Sequence, residues 1–328
     1  MAGVAYLGIG TSSSADLVLV LGEVTAFTAL AITILVNVSP AHYSAAVFSP
    51  ASSPHGQWSD ITNAMIYGIT AFAGFETAAA LGEEARNARR SVPASIAGIV
   101  LVTGVFYLLV VVAEMFGVGR HGIPAFTEQG SPLGYLTSRY WSPSALWVMD
   151  LVVVLTGLGF VIAVFNAAIR VLFAMGREQA LPGSLARLSG RRTPVVAIGG
   201  VAGLTLALGL PLSYAVGGAR TFGYLAGAAG LSLVLIYLAV NIAVIRAFRT
   251  EFRGEFRPVR HLIIPAAATV LFLFPLWGIL HPHGHGLMDL PFAALGWLCL
   301  GAIAVCVLRI RRPDSFETLG RVFAPAER

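Results

Sequence analysis

Two glutamates lie inside apolar runs, where burying a carboxylate costs free energy unless it has a polar partner or a functional role. Glu76 follows the segment "AFAGF" (71–75), and Glu23 interrupts "LVLVLGEVTAF" (17–27). If these runs cross a membrane, each charge costs about 2.5–3.5 kcal/mol, so such residues usually face a polar cavity or a partner. A desolvated carboxyl group at Glu23 is also suited to taking up and releasing protons. The alternatives are that Glu76 makes an internal hydrogen bond and that Glu23 reaches the interface or pairs with an arginine.

The composition indicates that these runs do cross a membrane. The chain has 328 residues, is 57% hydrophobic and 11% charged, and has a mean hydropathy of +0.80. Repeated apolar runs of about 20 residues have the length of membrane-spanning helices. We therefore predict an all-α polytopic membrane protein, a single domain over 1–328 with about eight transmembrane helices. The predicted spans are roughly 16–37, 61–81, 94–117, 145–173, 194–213, 222–246, 262–280 and 290–309.

The arginines predict the orientation of these spans. All 21 basic residues are arginine, and 18 of them fall on one side if the N-terminus is cytoplasmic. The positive-inside rule then predicts a multi-pass protein of the cytoplasmic membrane with both termini cytoplasmic. Because the charge is dispersed over short loops, the sequence does not indicate nucleic-acid binding. The most basic of these loops, "RAFRTEFRGEFRPVR" (246–260), is predicted to contact the headgroups of membrane lipids.

The residues before Glu76 have two structural interpretations. Ala71, Ala73 and Gly74 are small, and glycine costs about 1 kcal/mol relative to alanine in a helix interior. One interpretation is a broken helix whose freed backbone groups line a binding cavity. The other is that the small residues simply allow close helix packing. The segment alone does not decide between them.

Two longer blocks resemble a known family. The first is "AFAGFETAAALGEEARNARRSVPASI" (71–96), and the second is "NAAIRVLFAMGREQALPGSLARLSGRRTPVVAI" (166–198). Both are similar to signatures of the amino acid–polyamine–organocation (APC) superfamily of amino acid permeases. Ala88 departs from the pattern, since the family usually has proline there. The resemblance implies a LeuT-like fold of two inverted five-helix repeats. It also implies that this chain covers the fifth to twelfth helices, so we expect an N-terminally truncated permease.

The resemblance also implies a function and a site. The function is secondary active transport of an amino acid or related amine by alternating access, as symport or antiport. The substrate-binding residues are those of the break in the family's sixth helix. Free carbonyl oxygens there would face a substrate ammonium group, a ring would contact it, and the glutamate would order the break. The matching positions here are Phe72, Ala73, Gly74, Phe75 and Glu76.

Coupling to a proton gradient is favoured over coupling to sodium. Glu23 occupies a place where some family members carry lysine, which makes it the ion-coupling candidate. The family's sodium site takes hydroxyl groups from the inner half of the eighth helix, but residues 157–173 contain no Ser or Thr. Asn166, Tyr237 and Asn241 are candidates for lining the pathway, or for bonding across helices. Glu114 and Asp150, near outer helix ends, are expected to reach the interface.

Enzymatic chemistry is not indicated, and no cofactor is expected. We find no phosphate-binding glycine loop, nucleophile elbow or zinc-ligand spacing, and "HPHGHG" (281–286) is interpreted as a turn rather than a metal site. A different class of function stays open: a truncated, non-transporting fragment or an accessory membrane subunit. The chain would then associate with a partner, form a homo-oligomer, or lack helices belonging to a longer gene product. The sequence does not identify the substrate.

Overall fold

The computed structural model describes residues 12–53, 56–75, 87–119, 122, 126, 131–190, 193–280 and 290–311. Within these ranges the chain is helical and contains no strand, which confirms the predicted fold class. Short 3₁₀ turns occupy much of the connections, and a π-helical turn (Val259–Ile263) precedes the eighth helix. The helices are α1 Ser12–Asn37, α2 Trp58–Ala71, α3 Ala88–Val118, α4 Pro132–Tyr140, α5 Leu146–Arg177, α6 Val195–Val216, α7 Gly218–Thr250, α8 Ile264–Leu280 and α9 Leu290–Arg311.

Six helical segments in the described ranges are long and apolar enough to cross a membrane. They are Leu17–Asn37, Arg90–Val118, Pro143–Arg177, Val195–Val216, Gly218–Thr250 and Val259–Gly278. Each corresponds to one predicted span. The other two predicted spans are represented by shorter helices: α2 has 14 residues and ends at Ala71, and the apolar part of α9 is Ala294–Val307. Residues 76–81 of the second predicted span lie outside the described residues.

Helix α3 begins earlier than the predicted span, which started at residue 94. The helix begins at Ala88, and Pro93 lies inside it. The backbone N–H and the hydroxyl of Ser91 both donate to the carbonyl oxygen of Asn87, at 2.9 Å each. The first turn therefore forms before the proline is reached, and Pro93 removes only the one backbone hydrogen bond that its missing N–H would have made.

One compact unit of the chain contains α1, α3, α4 and α5. Its core is apolar and joins these helices through Leu30, Ile34, Ala113, Leu136 and Met149. Polar groups at the edge of this core are also paired. The indole N–H of Trp141 donates to the Thr33 hydroxyl at 3.1 Å. The Tyr140 hydroxyl donates to the carbonyl oxygen of Gly117 at 2.9 Å. Burial raises the pKa of this hydroxyl, so Tyr140 remains a donor at neutral pH.

In the same unit, the connection after α1 packs on the end of α3. The imidazole Nδ1 of His42 lies 3.1 Å from the carbonyl oxygen of Phe116, and the rings of Tyr43 and Phe48 contact the Phe116 ring edge to face. Gly119 ends α3 with a φ of +68°, and a β-carbon there would lie 3.0 Å from the His42 ring. A glycine is therefore required at 119 both by the backbone and by the packed imidazole.

A second compact unit contains α2, α7, α8 and most of α9. Here α2 packs against both α7 and α8, and two glycines permit the close approach. A β-carbon at Gly230 would lie 2.5 Å from the Thr70 hydroxyl oxygen, and one at Gly278 would lie 2.6 Å from the carbonyl carbon of Thr62. Ile66, Leu231, Val234 and Ala294 form the apolar core of this unit.

Candidate functional site

In the described backbone, α2 ends at the segment where the sequence predicts a break before Glu76. The helix ends at Ala71, and the N–H groups of Phe72 and Ala73 still donate to carbonyl oxygens of the last turn. Gly74 then has a φ of +115°, a region that L-residues rarely adopt. Among the residues that the structure describes, and apart from its chain neighbours, no atom lies within 4 Å of the β-carbon that another residue would place at 74. Glycine is therefore required here by the backbone conformation rather than by packing, which favours the broken-helix interpretation.

The last turn of α2 is held by Thr70. Its hydroxyl lies 2.8 Å from the Ile66 carbonyl oxygen in its own helix and 3.3 Å from the Ala226 carbonyl oxygen of α7. This contact and the approach to Gly230 anchor the turn that precedes the break. Phe72, Ala73 and Phe75 are half-buried, and Gly74 is exposed. Glu76, the fifth predicted substrate-binding residue, lies outside the described residues.

Glu23 is half-buried in α1 and has partners from two other helices of its unit. The hydroxyl of Thr156, in α5, is close enough to interact with its carboxylate. Tyr107, in α3, is close enough to interact electrostatically with the same carboxylate. The sequence prediction missed both partners. The available signal was that Thr156 is the one hydroxyl residue in the apolar run "LVVVLTGLGF" (151–160), but the pattern does not tell which residue it meets.

The three pathway-lining candidates lie on two helices. Asn166 is half-buried in α5, whereas Tyr237 and Asn241 are one helical turn apart on α7. The Tyr237 ring packs against Phe272 of α8, with ring centroids 5.5 Å apart. The side-chain nitrogen of Asn241 is buried without a hydrogen-bond partner, the one such side-chain atom found in the described part of the chain. Asn241 is therefore a polar group that its own unit leaves unsatisfied.

Two other predicted features have different outcomes. Glu114 was expected to reach the interface, but it is half-buried in α3 and lines a small apolar pocket with Phe27, Leu30 and Leu133. The histidine-rich turn at 281–286 lies outside the described residues. Among the residues that the structure describes, no group of three or more His, Cys, Asp or Glu side chains could hold a metal ion.

In the described part of the chain, six helical segments are long and apolar enough to cross a membrane, which is the pattern of a multi-pass membrane protein. Comparison with known proteins agrees: the sequence model of the family described as "Amino acid permease" matches residues 3–281. The chain belongs to the amino acid permease family, within the APC superfamily.

Two curated relatives show how much of such a permease is represented here. The chain is 24% identical over 287 residues to the "Branched-chain amino acid permease BcaP" of Lactococcus lactis subsp. cremoris (strain MG1363), covering 84% of this chain and 58% of that protein. It is 25% identical over 198 residues to the "Uncharacterized amino acid permease YvbW" of Bacillus subtilis (strain 168), covering 60% of this chain and 43% of that protein. The chain thus spans about half the length of the curated relatives that it matches.

Proposed function

We propose that this protein is a secondary active transporter of an amino acid or related amine in the cytoplasmic membrane. The observation that carries the proposal is the break at Gly74, which follows a helix end in a chain of the amino acid permease family. A helix that stops inside a membrane leaves carbonyl oxygens at its C-terminal end, and these carry a partial negative charge. Such a group suits the ammonium group of an amino acid or amine.

Each of the five predicted substrate-binding residues has a role in this proposal. The backbone of Phe72, Ala73 and Gly74 contributes the polar groups, and the ring of Phe72 or Phe75 contacts the substrate ammonium group. Glu76 orders the chain after the break. The role of Gly74 is supported by its φ value, and no contact with the described residues gives a steric reason for glycine there.

We further propose that Glu23 is the proton-binding group. The carboxylate is half-buried within a candidate span and lies close to the Thr156 hydroxyl. A neighbouring hydroxyl group can stabilise the charged carboxylate where water is partly excluded. A single carboxylate can then bind one proton in each transport cycle. Coupling to sodium is less favoured, because residues 157–173 contain no hydroxyl ligand. The arginine distribution supports a cytoplasmic location for both termini.

The first substrates to test are branched-chain amino acids, because one relative carries that name. The full chain would be reconstituted into liposomes, and uptake of radiolabelled leucine, isoleucine and valine measured with and without an inward proton gradient. We expect uptake that depends on the proton gradient. A sodium gradient in its place should not drive uptake. Binding measured separately, as thermal stabilisation by each amino acid in detergent, would reveal a site that binds without transporting. Absence of both binding and uptake for all amino acids and amines tested would overturn the proposal.

A second candidate is supported by the coverage of the relatives. Because the chain spans 58% and 43% of the two permeases, it could act as a non-transporting fragment or as an accessory membrane subunit. The intact mass of the natively expressed protein, measured after mild solubilisation, separates these functions. A complex with another membrane protein would support the accessory role, and a chain of higher mass would favour a complete permease.

A further inference from the structure

The connection between α7 and α8 is the most basic segment of the described chain, and its position is constrained on both sides. We name residues 246–263 the arginine loop; this range comprises the end of α7, the eight-residue connection and the π-helical turn. It contains five arginines and two glutamates, Glu251 and Glu255. Gly218–Thr250 and Val259–Gly278 are both long and apolar enough to cross a membrane. Only eight residues separate them, so the loop must lie at the surface of the bilayer.

The arginine loop has an ordered conformation that depends on His261. The imidazole of His261, in the π-helical turn, stacks on the Phe248 ring of α7 with centroids 3.6 Å apart and planes 13° apart. Its Nδ1 accepts a hydrogen bond from the backbone N–H of Arg257 at 3.0 Å. One side chain therefore joins the end of α7, the loop and the start of α8.

The charges of the loop are presented outward. All five arginines are exposed, and none of them is paired with a carboxylate in the described part of the chain. Arg253 folds back so that its Nε donates to the carbonyl oxygen of Arg249 at 2.8 Å, which leaves its terminal nitrogens available. Guanidinium groups at a bilayer surface bind phosphates through paired hydrogen bonds. The five arginines are Arg246, Arg249, Arg253, Arg257 and Arg260.

Exposed apolar side chains accompany these charges. Phe252, Val259 and Ile263 are 50%, 59% and 55% exposed, respectively. An aromatic ring between arginines is well suited to the headgroup region of a bilayer, where it can contact acyl chains on one side and water on the other. The loop thus combines an excess of positive charge with apolar groups at the depth where phospholipid phosphates meet acyl chains.

We propose that the arginine loop is a binding surface for anionic phospholipids, folded by the stack of His261 on Phe248. Exposed guanidinium groups bind the lipid phosphates, and Phe252 lies beside the upper part of the acyl chains. This inference does not depend on transport, because it rests on the loop and not on the break at Gly74 or on Glu23.

The test is competitive lipid binding to the purified full chain in detergent, read by native mass spectrometry. Phosphatidylglycerol and phosphatidylcholine of the same acyl chains would be added in equal amounts. We expect at least a tenfold preference for phosphatidylglycerol. The triple variant Arg249→Gln, Arg253→Gln, Arg257→Gln should lower that preference at least fivefold. His261→Ala, which does not remove an arginine, should lower it as well, because the loop loses its anchor.

A matched triple variant controls for net charge. Arg170→Gln, Arg177→Gln and Arg187→Gln remove the same number of charges from α5 and the following connection, and should leave the lipid preference unchanged. Thermal unfolding in phosphatidylcholine alone would verify that every variant is folded. The proposal is overturned if the wild-type chain binds both lipids equally, if the control triple lowers the preference as far as the loop triple, or if His261→Ala has no effect.

Discussion

Gly230 of α7 and Ile66 of α2 approach so closely that a β-carbon at position 230 would lie 2.9 Å from the Ile66 carbonyl oxygen. The same β-carbon would lie 2.7 Å from the side chain of Ile66. The last turns of α2 therefore pack through a helix contact that only glycine allows, and this contact lies about two turns before Gly74. Packing against α2 requires a glycine at 230, whereas the backbone conformation requires one at 74.

Replacing Gly230 with alanine should destabilise the protein. Overpacking against backbone costs about 1–3 kcal/mol, more than the helix propensity that alanine adds. Gly223→Ala is the matched control, because it lies two turns earlier on α7 and its β-carbon would meet only the Tyr67 hydroxyl at 3.9 Å. We expect a lower unfolding midpoint in detergent for Gly230→Ala and an equal or higher one for Gly223→Ala. Equal midpoints for the two variants would contradict the close contact.

Replacing Gly74 with alanine should impair substrate binding through the backbone alone. A φ of +115° costs an L-residue roughly 1–3 kcal/mol, and no neighbouring atom is displaced. Gly68→Ala, six residues earlier in α2 and equally open, adds helix propensity without strain. We expect a tenfold or greater loss of affinity or uptake for Gly74→Ala and little change for Gly68→Ala. If Gly74→Ala binds and transports as well as the wild type, the break is not part of the site.

Replacing Glu23 with glutamine should uncouple transport from the proton gradient. Glutamine keeps the shape and can still bond to Thr156, but it cannot bind and release a proton. In liposomes we expect loss of gradient-driven uptake with retention of substrate exchange at equal pH. Uptake by Glu23→Gln that still follows the proton gradient would exclude Glu23 as the coupling group.

Thr156→Val tests the partner of Glu23 without changing a charge. Beside a half-exposed carboxylate a hydroxyl contributes about 0.5–1.5 kcal/mol, because water competes with it. Since 1.4 kcal/mol corresponds to a factor of ten, we expect gradient-driven uptake to fall by at most about tenfold. Thr205→Val is the control, since its hydroxyl donates at 2.8 Å to the Val201 carbonyl oxygen within its own helix. A similar loss in both variants would assign the effect to helix stability instead of Glu23.

Replacing Asn241 with leucine should stabilise the protein. A buried amide donor without a partner costs about 1–3 kcal/mol, and leucine has a similar size without that donor. We expect a higher unfolding midpoint in detergent together with slower uptake. This combination is expected of a polar side chain that destabilises the fold but contributes to the transport pathway. A lower midpoint would mean that Asn241 has a structural partner.

Much of this protein can be predicted from its sequence because a bilayer imposes simple requirements. Of the eight spans predicted from the apolar stretches, six correspond to long apolar helices to within a few residues, since a helix must satisfy its own backbone over the thickness of the membrane. Gly74 could likewise be selected from the sequence, because glycine between small and aromatic residues in an apolar run is costly without a backbone reason.

The tertiary structure decided which polar groups meet. Nothing in the spacing along the chain relates Glu23 to Thr156 or Tyr107, because they are far apart in sequence and meet only through the packing of α1, α3 and α5. The same holds for Gly230, Gly278 and His261. The sequence identifies two glycines and a histidine, but their structural roles depend on the atoms that they meet on neighbouring helices. Local periodicity encodes helices, whereas contacts between helices depend on how side-chain shapes fit in three dimensions.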